Sequence, residues 1–345
     1  MRYRKYFALI ILPVFMLLYS GCLGARHRQD ASVFAPGENY RLVIYTSHKY
    51  EVYWPIIKEF EERTGIWVEV VEGGTNELLE RIARGADDPA ADLMFGGGVE
   101  SLESYRDYLI PYACADAGSI SPHFRSPDDL WTPFSLLPVV LIYNTKLVPY
   151  GQITGWVDLF EDNYQGRIAF ADPSKSGSGF TELVTLMEAM GISQDETLRA
   201  FAEALAGRQM DESGYVPATV AEGHDLVGVT LEDTALQRIS AGYDIALVYP
   251  VDGTSCVPDG SALVKGTVNE RNAKLFLDFT VSRDVQQLLA DRYYRRPVRT
   301  DVGQPASLVA LEDIILIDYD IEWAIRNREA ILTDWNLCVG GEAAS

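Results

Sequence analysis

The chain has 345 residues and a formal net charge of −21, with 29 Lys and Arg against 50 Asp and Glu. This acidic excess argues against nucleic acid or an anionic membrane surface as a partner, so an anionic ligand would have to be held by local donors. The length favours two lobes over a single core, and the four Cys show no Cys-x-x-Cys or Cys/His spacing that would indicate a metal site.

The N-terminal residues have the features of an export signal. Arg2, Arg4 and Lys5 precede an apolar run over residues 7–18, which is short for a permanent membrane span but typical of a signal-peptide core. We therefore expect a signal peptide over residues 1–21. Its removal would take the formal charge of the mature chain from −21 to −24.

The signal-like segment ends in "LLYSGC", which resembles a bacterial lipobox. The resemblance implies cleavage before Cys22 and lipidation of its thiol, although Tyr19 stands where Leu is usual. A plain secretory peptide with an incidental Cys22 is the alternative. We expect residues 22–38 to be a lipidated tether, so that the exported chain touches the membrane through its lipid alone. Of the other cysteines, an oxidising compartment permits one disulfide among Cys114, Cys256 and Cys338.

Strands and helices alternate from Tyr40 onward. The order is strand, helix, strand, helix, strand, helix, which predicts a mainly parallel sheet covered by helices. We expect Pro55 to lie in the first turn of its helix and Thr75 or Asn76 to cap the next one. The predicted strands cover residues 40–47, 66–73 and 91–98, and the predicted helices cover residues 50–65, 75–85 and 99–109.

A second α/β unit follows the long apolar strand "WTPFSLLPVVLIYNTKLV". Two such units joined by two extended stretches predict two lobes with a cleft between them, and α/β sheets bind ligands in clefts at the carboxyl ends of their strands. We expect lobe 1 over residues 39–140 and 251–310, lobe 2 over residues 141–250, and a C-terminal helical segment over residues 311–345.

The stretch "RIAFADPSKSGSGFTEL" predicts a strand, a polar loop and a helix. Ser176, Gly177, Ser178 and Thr181 would bare backbone N–H and hydroxyl donors where the helix begins, an arrangement that suits an anion. The alternative is that Ser and Thr only cap the helix while the glycines ease the turn.

Six segments of the chain, in order and over about residues 40–300, resemble the ferric-ion type of ABC-transporter solute-binding proteins. The resemblance implies an α/β, bilobed type II periplasmic-binding-protein fold, with two α/β lobes, mixed sheets and two crossover strands. It also implies a monomer that closes on a small solute and delivers it to an ABC permease and its ATPase. The segments are "VIYTSHKYEVYWPIIKEFEERTGIWVEVVEG", "FGGGVESLESYRDYL", "PFSLLPVVLIYNTKLV", "GRIAFADPSKSGSGFTEL", "ALVYPVDGTSCVPDG" and "NAKLFLDFTVSRDVQQLL".

The resemblance does not carry over a full iron site. His48 stands where a ferric binder has its histidine, but the expected carboxylate position falls on the glycines of "FGGGVES". The expected tyrosine pair is replaced by Glu232 and Asp233, and Tyr293–Tyr294 lies far along the chain from that place. Ferric iron therefore remains the alternative solute rather than the main one.

The anion half of the family's site is matched by "SKSGSGFT". Some family members take up hexose phosphates and others aminoalkyl phosphonates. His224 and Asp225 resemble the hexose-phosphate type, and Glu232 could accept from the far end of such a solute, although Glu232 and Asp233 also fit a helix start. The remaining candidate ligand contacts lie at strand ends, at a helix start or at a crossover, and are Ser47, Gly97, Ser101, Ser135, Asn144 and Tyr249.

These observations predict a solute-binding receptor for a hexose phosphate or a similar organophosphate or phosphonate. Neither a cofactor nor a resident metal is expected. An enzyme such as a phosphatase is disfavoured because no GxSxG elbow, HExxH motif, Walker loop or strand-following GxGxxG is present. The arginine cluster Arg292, Arg295, Arg296 and Arg299 is expected to form salt bridges or lie at the surface.

Overall fold

The computed structural model describes residues 36–85, 89–305 and 307–340. The predicted signal peptide, Cys22 and most of the predicted tether therefore lie outside the described residues. The described residues from Tyr40 onward form one compact unit. Within the described ranges, no helix is both long enough and apolar enough to cross a bilayer.

Ten strands of the described residues form a mixed sheet with the order β2-β1-β3-β9-β5-β7-β6, to which the short strands β4, β8 and β10 add. β1 runs parallel to β2 and β3, whereas β9 is antiparallel to β3, β4 and β5. The strands are β1 Arg41–Thr46, β2 Trp67–Glu72, β3 Leu93–Gly98, β4 Leu109–Ile110, β5 Thr132–Asn144, β6 Ile168–Ala169, β7 Val227–Leu231, β8 Ile245–Val248, β9 Cys256–Val264 and β10 Arg296–Pro297.

The parallel pairing predicted for the first three strands is confirmed for β1, β2 and β3. The prediction that the whole sheet of the first unit is mainly parallel is wrong. The chain returns from the second unit as β9, and this long strand enters the first sheet antiparallel, between β3 and β5. Periodicity along the first unit could not show this insertion because β9 lies more than 150 residues later.

Ten α-helices pack against these strands in the described part of the chain. They are α1 Tyr50–Thr64, α2 Thr75–Arg84, α3 Val99–Ser104, α4 Gly177–Met190, α5 Gln194–Leu205, α6 Val216–Ala221, α7 Glu232–Ser240, α8 Glu270–Thr280, α9 Arg283–Tyr293 and α10 Ile321–Val339.

Three helices differ from the prediction in the placement of a proline, in the N-cap or in length. Pro55 is the sixth residue of α1, so it lies in the second turn rather than the first. α2 begins at Thr75 with Gly74 as its N-cap, so neither Thr75 nor Asn76 is the cap. α3 stops at Ser104 and gives way to a short 3-10 turn, which makes it much shorter than the predicted helix.

β5 is buried at all thirteen positions and connects two parts of the sheet. Its first half pairs with β9 and its second half with β7 and β8. The chain returns from β8 to β9 through residues 249–255, the second extended connection. The predicted lobe boundaries stay predictions.

Each part of the sheet has its own apolar core. One core contains Leu42, Phe60 and Phe276, and the other contains Val139 and Phe180 together with further aromatics. α10 adds Ala324, Ile331 and Trp335 to the second core. Fully burying one such large side chain contributes about 1.5–3 kcal/mol.

Candidate functional site

A cleft of about 800 Å³ opens where β1, β3 and β7 end and where α2 and α4 begin. This position agrees with the rule that α/β sheets bind ligands beyond the carboxyl ends of their strands. The predicted site residues that line the cleft are Ser47, His48, Gly97, Ser176, Gly177, Ser178 and Thr181.

The start of α4 combines a helix cap with exposed donors. Ser176 is the N-cap, and its Oγ accepts from the Gly179 amide at 3.1 Å. The amides of Gly177 and Ser178 make no hydrogen bond to any described residue. The capping interpretation therefore holds for Ser176, while the next two amides remain available to a ligand.

The side chains of Ser178 and Thr181 differ in their availability. Among the described residues, the Ser178 hydroxyl makes one weak contact, with Ser213 Oγ at 3.5 Å. The Thr181 hydroxyl donates to Glu100 Oε1 at 3.0 Å, although Thr181 lines the cleft. Glu100 also accepts from the Tyr319 hydroxyl, and burial raises the pKa of its carboxyl. Thr181 therefore ties α4 to α3 instead of offering its proton to a solute.

His48 follows β1 and is nearly buried at the cleft wall. Burial, and then the nearby Arg295 guanidinium, hold the pKa of its imidazole well below the usual value. The ring is therefore neutral, and the 3.7 Å approach of Nε2 to Asp259 Oδ2 is not an ion pair. Nε2 makes no hydrogen bond among the described residues. The ring packs against Phe95 and Phe134, with centroids 4.5 and 5.0 Å away.

Gly96 has to be glycine because of this imidazole. Its φ is +84°, and a Cβ at this position would lie 2.5 Å from His48 Nε2. Gly96, one of the glycines that stand where a ferric binder has its carboxylate, therefore makes room for a buried ring.

Arg295 lines the cleft and was not predicted as a ligand contact. Its Nε donates to Asp233 Oδ2 at 2.9 Å, and its Nη1 donates to Asp259 Oδ2 at 2.8 Å and to Ser135 Oγ at 2.9 Å. The remaining terminal nitrogen, Nη2, makes no hydrogen bond in the described part of the chain. Ser135 does not line the cleft and instead supports Asp259 and Arg295 from behind.

Glu232 and Tyr249 are also placed outside the cleft lining. Both carboxylate oxygens of Glu232 accept from Arg296, at 2.8 and 2.7 Å, and one also accepts from the Tyr249 hydroxyl. Arg296 is fully buried and Glu232 is 1% exposed. The two acids that stand in place of a tyrosine pair, Glu232 and Asp233, are therefore both paired with arginines.

Four further candidates lie away from the cleft. His224 is exposed beside Glu222, and the buried Asp225 pairs with Arg208 at 2.9 Å. These two residues precede β7, whereas the cleft lies at the other end of that strand. Asn144 donates to backbone carbonyls of α6, and Ser101 is buried on α3 with its Oγ 3.5 Å from Arg328.

The cleft is nearly neutral although the whole chain is strongly acidic. Its lining contains four cationic side chains and five carboxylates, namely Lys49, Lys175, Arg238 and Arg295 with Glu51, Glu72, Asp211, Glu212 and Asp259. Burial lowers the pKa of Lys49, whose Nζ donates to Thr234 Oγ1 at 3.3 Å. The cleft therefore does not repel an anion as the rest of the surface does.

Sequence reasoning also missed Thr75, which lines the cleft at the start of α2. The signal was present in "EGGTNELL", which like "KSGSGFTEL" places glycines and a hydroxyl residue where a helix begins. Arg295 had no comparable local signal, because its partners lie 36 to 160 residues away.

Cys114, Cys256 and Cys338 are free thiols. Burial raises the pKa of Cys114 to about 11 and that of Cys256 to about 12.

Comparison with known proteins identifies the family and the fold of the chain. A family model described as bacterial extracellular solute-binding protein matches residues 99–321. Iron uptake protein A1 of Synechocystis is 26% identical over 282 residues, covering 77% of this chain and 78% of the relative. A second relative, from Salmonella typhi, is provisionally named as a 2-aminoethylphosphonate-binding periplasmic protein. It is 23% identical over 251 residues, covering 70% of this chain and 73% of the relative.

The solved structure of the periplasmic binding protein AfuA from Actinobacillus pleuropneumoniae, with exogenous fructose-6-phosphate bound, superposes with a TM-score of 0.81. The two sequences are 22% identical, and the superposition covers 88% of this chain and 99% of AfuA. This likeness confirms the predicted fold class, the type II periplasmic-binding-protein fold.

Proposed function

Because the chain belongs to the family of bacterial extracellular solute-binding proteins, the receptors of ABC importers, we propose that its solute is a small phosphorylated molecule. Hexose phosphates and similar organophosphates or phosphonates form this class. The solute is captured in the cleft and delivered to a permease.

One observation carries the proposal. The amides of Gly177 and Ser178 begin α4, line the cleft and lack an acceptor among the described residues. Helix N-termini with bared amides bind phosphoryl groups, and each hydrogen bond to a charged partner contributes about 1.5–3 kcal/mol. The helix dipole adds about 0.3–1 kcal/mol. The names of the Salmonella relative and the ligand in AfuA give independent support for a phosphonate or a sugar phosphate.

The same proposal includes the chain's place in the cell. The family is extracellular, so the chain is exported. The lipobox-like "LLYSGC" supports an anchor through lipidated Cys22, and we include a monomeric receptor whose lobes close by hinge motion at the two extended connections.

Ferric iron is the second candidate solute, and the iron uptake protein of Synechocystis favours it. Against it, Glu232 and Asp233 are engaged by Arg296 and Arg295, and the imidazole of His48 is buried in an aromatic contact. A ferric site would have to break two buried ion pairs, which makes phosphoryl binding the better supported function.

The test is calorimetric titration of the purified chain with fructose 6-phosphate, 2-aminoethylphosphonate, inorganic phosphate and ferric citrate. We expect stoichiometric binding of at least one phosphoryl probe, no release of phosphate and no visible absorption band with iron. Ser178→Asp should abolish phosphoryl binding because it places a carboxylate against the anion. Normal binding by this variant, or an iron-dependent colour, would contradict the proposal.

A further inference from the structure

The first turn of α2 lies directly against the first turn of α4. A Cβ built on Gly177 would lie 3.3 Å from Thr75 Oγ1. Asn76 Nδ2 donates to the Ser174 carbonyl at 2.9 Å, so the start of α2 is tied to the segment that leads into the loop of α4. Two helix N-termini therefore meet at one point of the cleft.

Thr75 is a largely buried residue whose hydroxyl has no partner in the described chain. The residue is only 6% exposed and lines the cleft, yet its side chain makes no hydrogen bond to any residue that the structure describes. Buried polar groups are normally satisfied, and an unsatisfied one calls for a specific explanation. The methyl group does have a packing role, because Cγ2 would lie 2.9 Å from a Cβ on Gly97. Packing thus accounts for the methyl group and leaves the hydroxyl without a role.

The backbone of α2 repeats the pattern. The amides of Thr75, Asn76 and Glu77 have no acceptor in the described chain, and the first amide bonded within α2 is that of Leu78. The N-cap is Gly74, which has no side chain to accept from these amides. α2 has ten residues, so its dipole places about half an elementary positive charge at this end.

We propose that Thr75 and the first turn of α2 form the second half of the anion site, opposite Gly177 and Ser178. This inference rests on the proposed function and deepens it by naming the charge state of the solute. A phosphoryl dianion has three terminal oxygens, and donors from both helices can share them. Two facing N-termini repel each other when the site holds no anion, and a dianion between them removes that repulsion.

The substrate class that follows is a phosphate monoester or phosphonate in its dianionic form. A phosphate monoester gains its second negative charge at a pKa of about 6. A sulfate ester of the same sugar has one ionisable proton and is therefore a monoanion both below and above that pH. The wild-type chain should therefore bind the phosphate monoester more tightly than the matching sulfate ester. Its affinity for the phosphate monoester should also fall as the pH drops below about 6.

The matched variants are Thr75→Val and Thr75→Ser. Val keeps the branched shape and the contact with Gly97 but removes the hydroxyl, while Ser keeps the hydroxyl. With fructose 6-phosphate and 2-aminoethylphosphonate as probes in calorimetry, we expect Val to weaken binding by about 10- to 100-fold, as for a lost hydrogen bond to a charged group. Ser should retain most of the affinity, and thermal melting should show that both variants are folded.

The outcomes separate this inference from the proposed function. If the wild-type chain binds a phosphoryl probe and Ser178→Asp abolishes that binding while Thr75→Val does not change it, the α2 half of the site is wrong and the proposed function stands. If no phosphoryl probe binds the wild-type chain, both fall. The comparison of phosphate and sulfate esters uses only the wild-type chain, so it decides the question even if Thr75→Val does not fold. Equal affinities for the two esters would overturn the inference.

Discussion

Replacing Arg296 by Met should lower the free energy of unfolding more than the loss of a surface ion pair does. The guanidinium is fully buried and donates through Nε and Nη2 to both oxygens of Glu232. It also donates to the Val309 carbonyl at 2.7 Å. Met fills much of the same volume but leaves the Glu232 carboxylate buried, with the Tyr249 hydroxyl as its one remaining polar partner among the described residues.

The magnitude follows from this burial. Removing one partner of a buried ion pair typically costs about 3–5 kcal/mol, because the remaining charge is left uncompensated. The matched control is Arg326→Met, which breaks the pair with Glu322 on α10. There the side chains are 62% and 74% exposed, so the expected cost is about 0–1 kcal/mol.

The assay is urea denaturation of both single variants and of the double variant Glu232→Leu, Arg296→Met. Apolar replacement of a whole buried pair is often neutral or stabilising, so the double variant should recover most of the stability lost in Arg296→Met. A cost for Arg296→Met no larger than that for Arg326→Met would refute the reasoning. So would a double variant less stable than the Arg296→Met single variant.

Two further variants test α4. Glu182 is buried without a hydrogen bond among the described residues, and burial raises its pKa from 4.5 to about 8. The folded state therefore holds its proton, so the stability of the wild-type chain is full below about pH 4.5 and declines as the pH rises towards about 8. Glu182→Gln should be as stable as the wild type near pH 4 and more stable by roughly 3 kcal/mol at pH 7, since each pKa unit corresponds to about 1.36 kcal/mol. A gain in stability that does not depend on pH in urea denaturation would contradict this. Ser176→Ala should lower the free energy of unfolding by about 1 kcal/mol through loss of the helix cap, and it should also weaken phosphate binding. The control Ser193→Ala removes the cap of α5, so it should cost a similar amount of stability without affecting binding in calorimetry.

Much of the site's donor chemistry was predictable from short segments. The loop "SKSGSGFT" was assigned to a helix start, and α4 begins at Gly177 with Ser176 as its cap. The helix starting at Glu232 was likewise foreseen. These features depend on neighbours within a few residues, such as capping hydroxyls and glycines, so local sequence contains them.

Other predicted ligand contacts lie away from the cleft, because tertiary packing decides which end of a strand faces the cleft. His224 and Asp225 resembled the hexose-phosphate pattern, yet they lie at the start of β7, away from the cleft. Glu232 is near the correct end of β7 but is engaged by Arg296. Both errors come from partners or positions that local pattern does not report.

The sequence by itself determined the order of strands and helices and the polar start of α4, and it predicts the export signal, since each depends on composition or on spacing within one element. Only the tertiary structure decided that β9 enters the first sheet antiparallel, that Arg295 reaches Asp259 and Asp233, and that Thr75 faces Gly177. These contacts join residues from 36 to 170 positions apart. Such pairings follow from how whole elements pack, and periodicity within an element does not encode them.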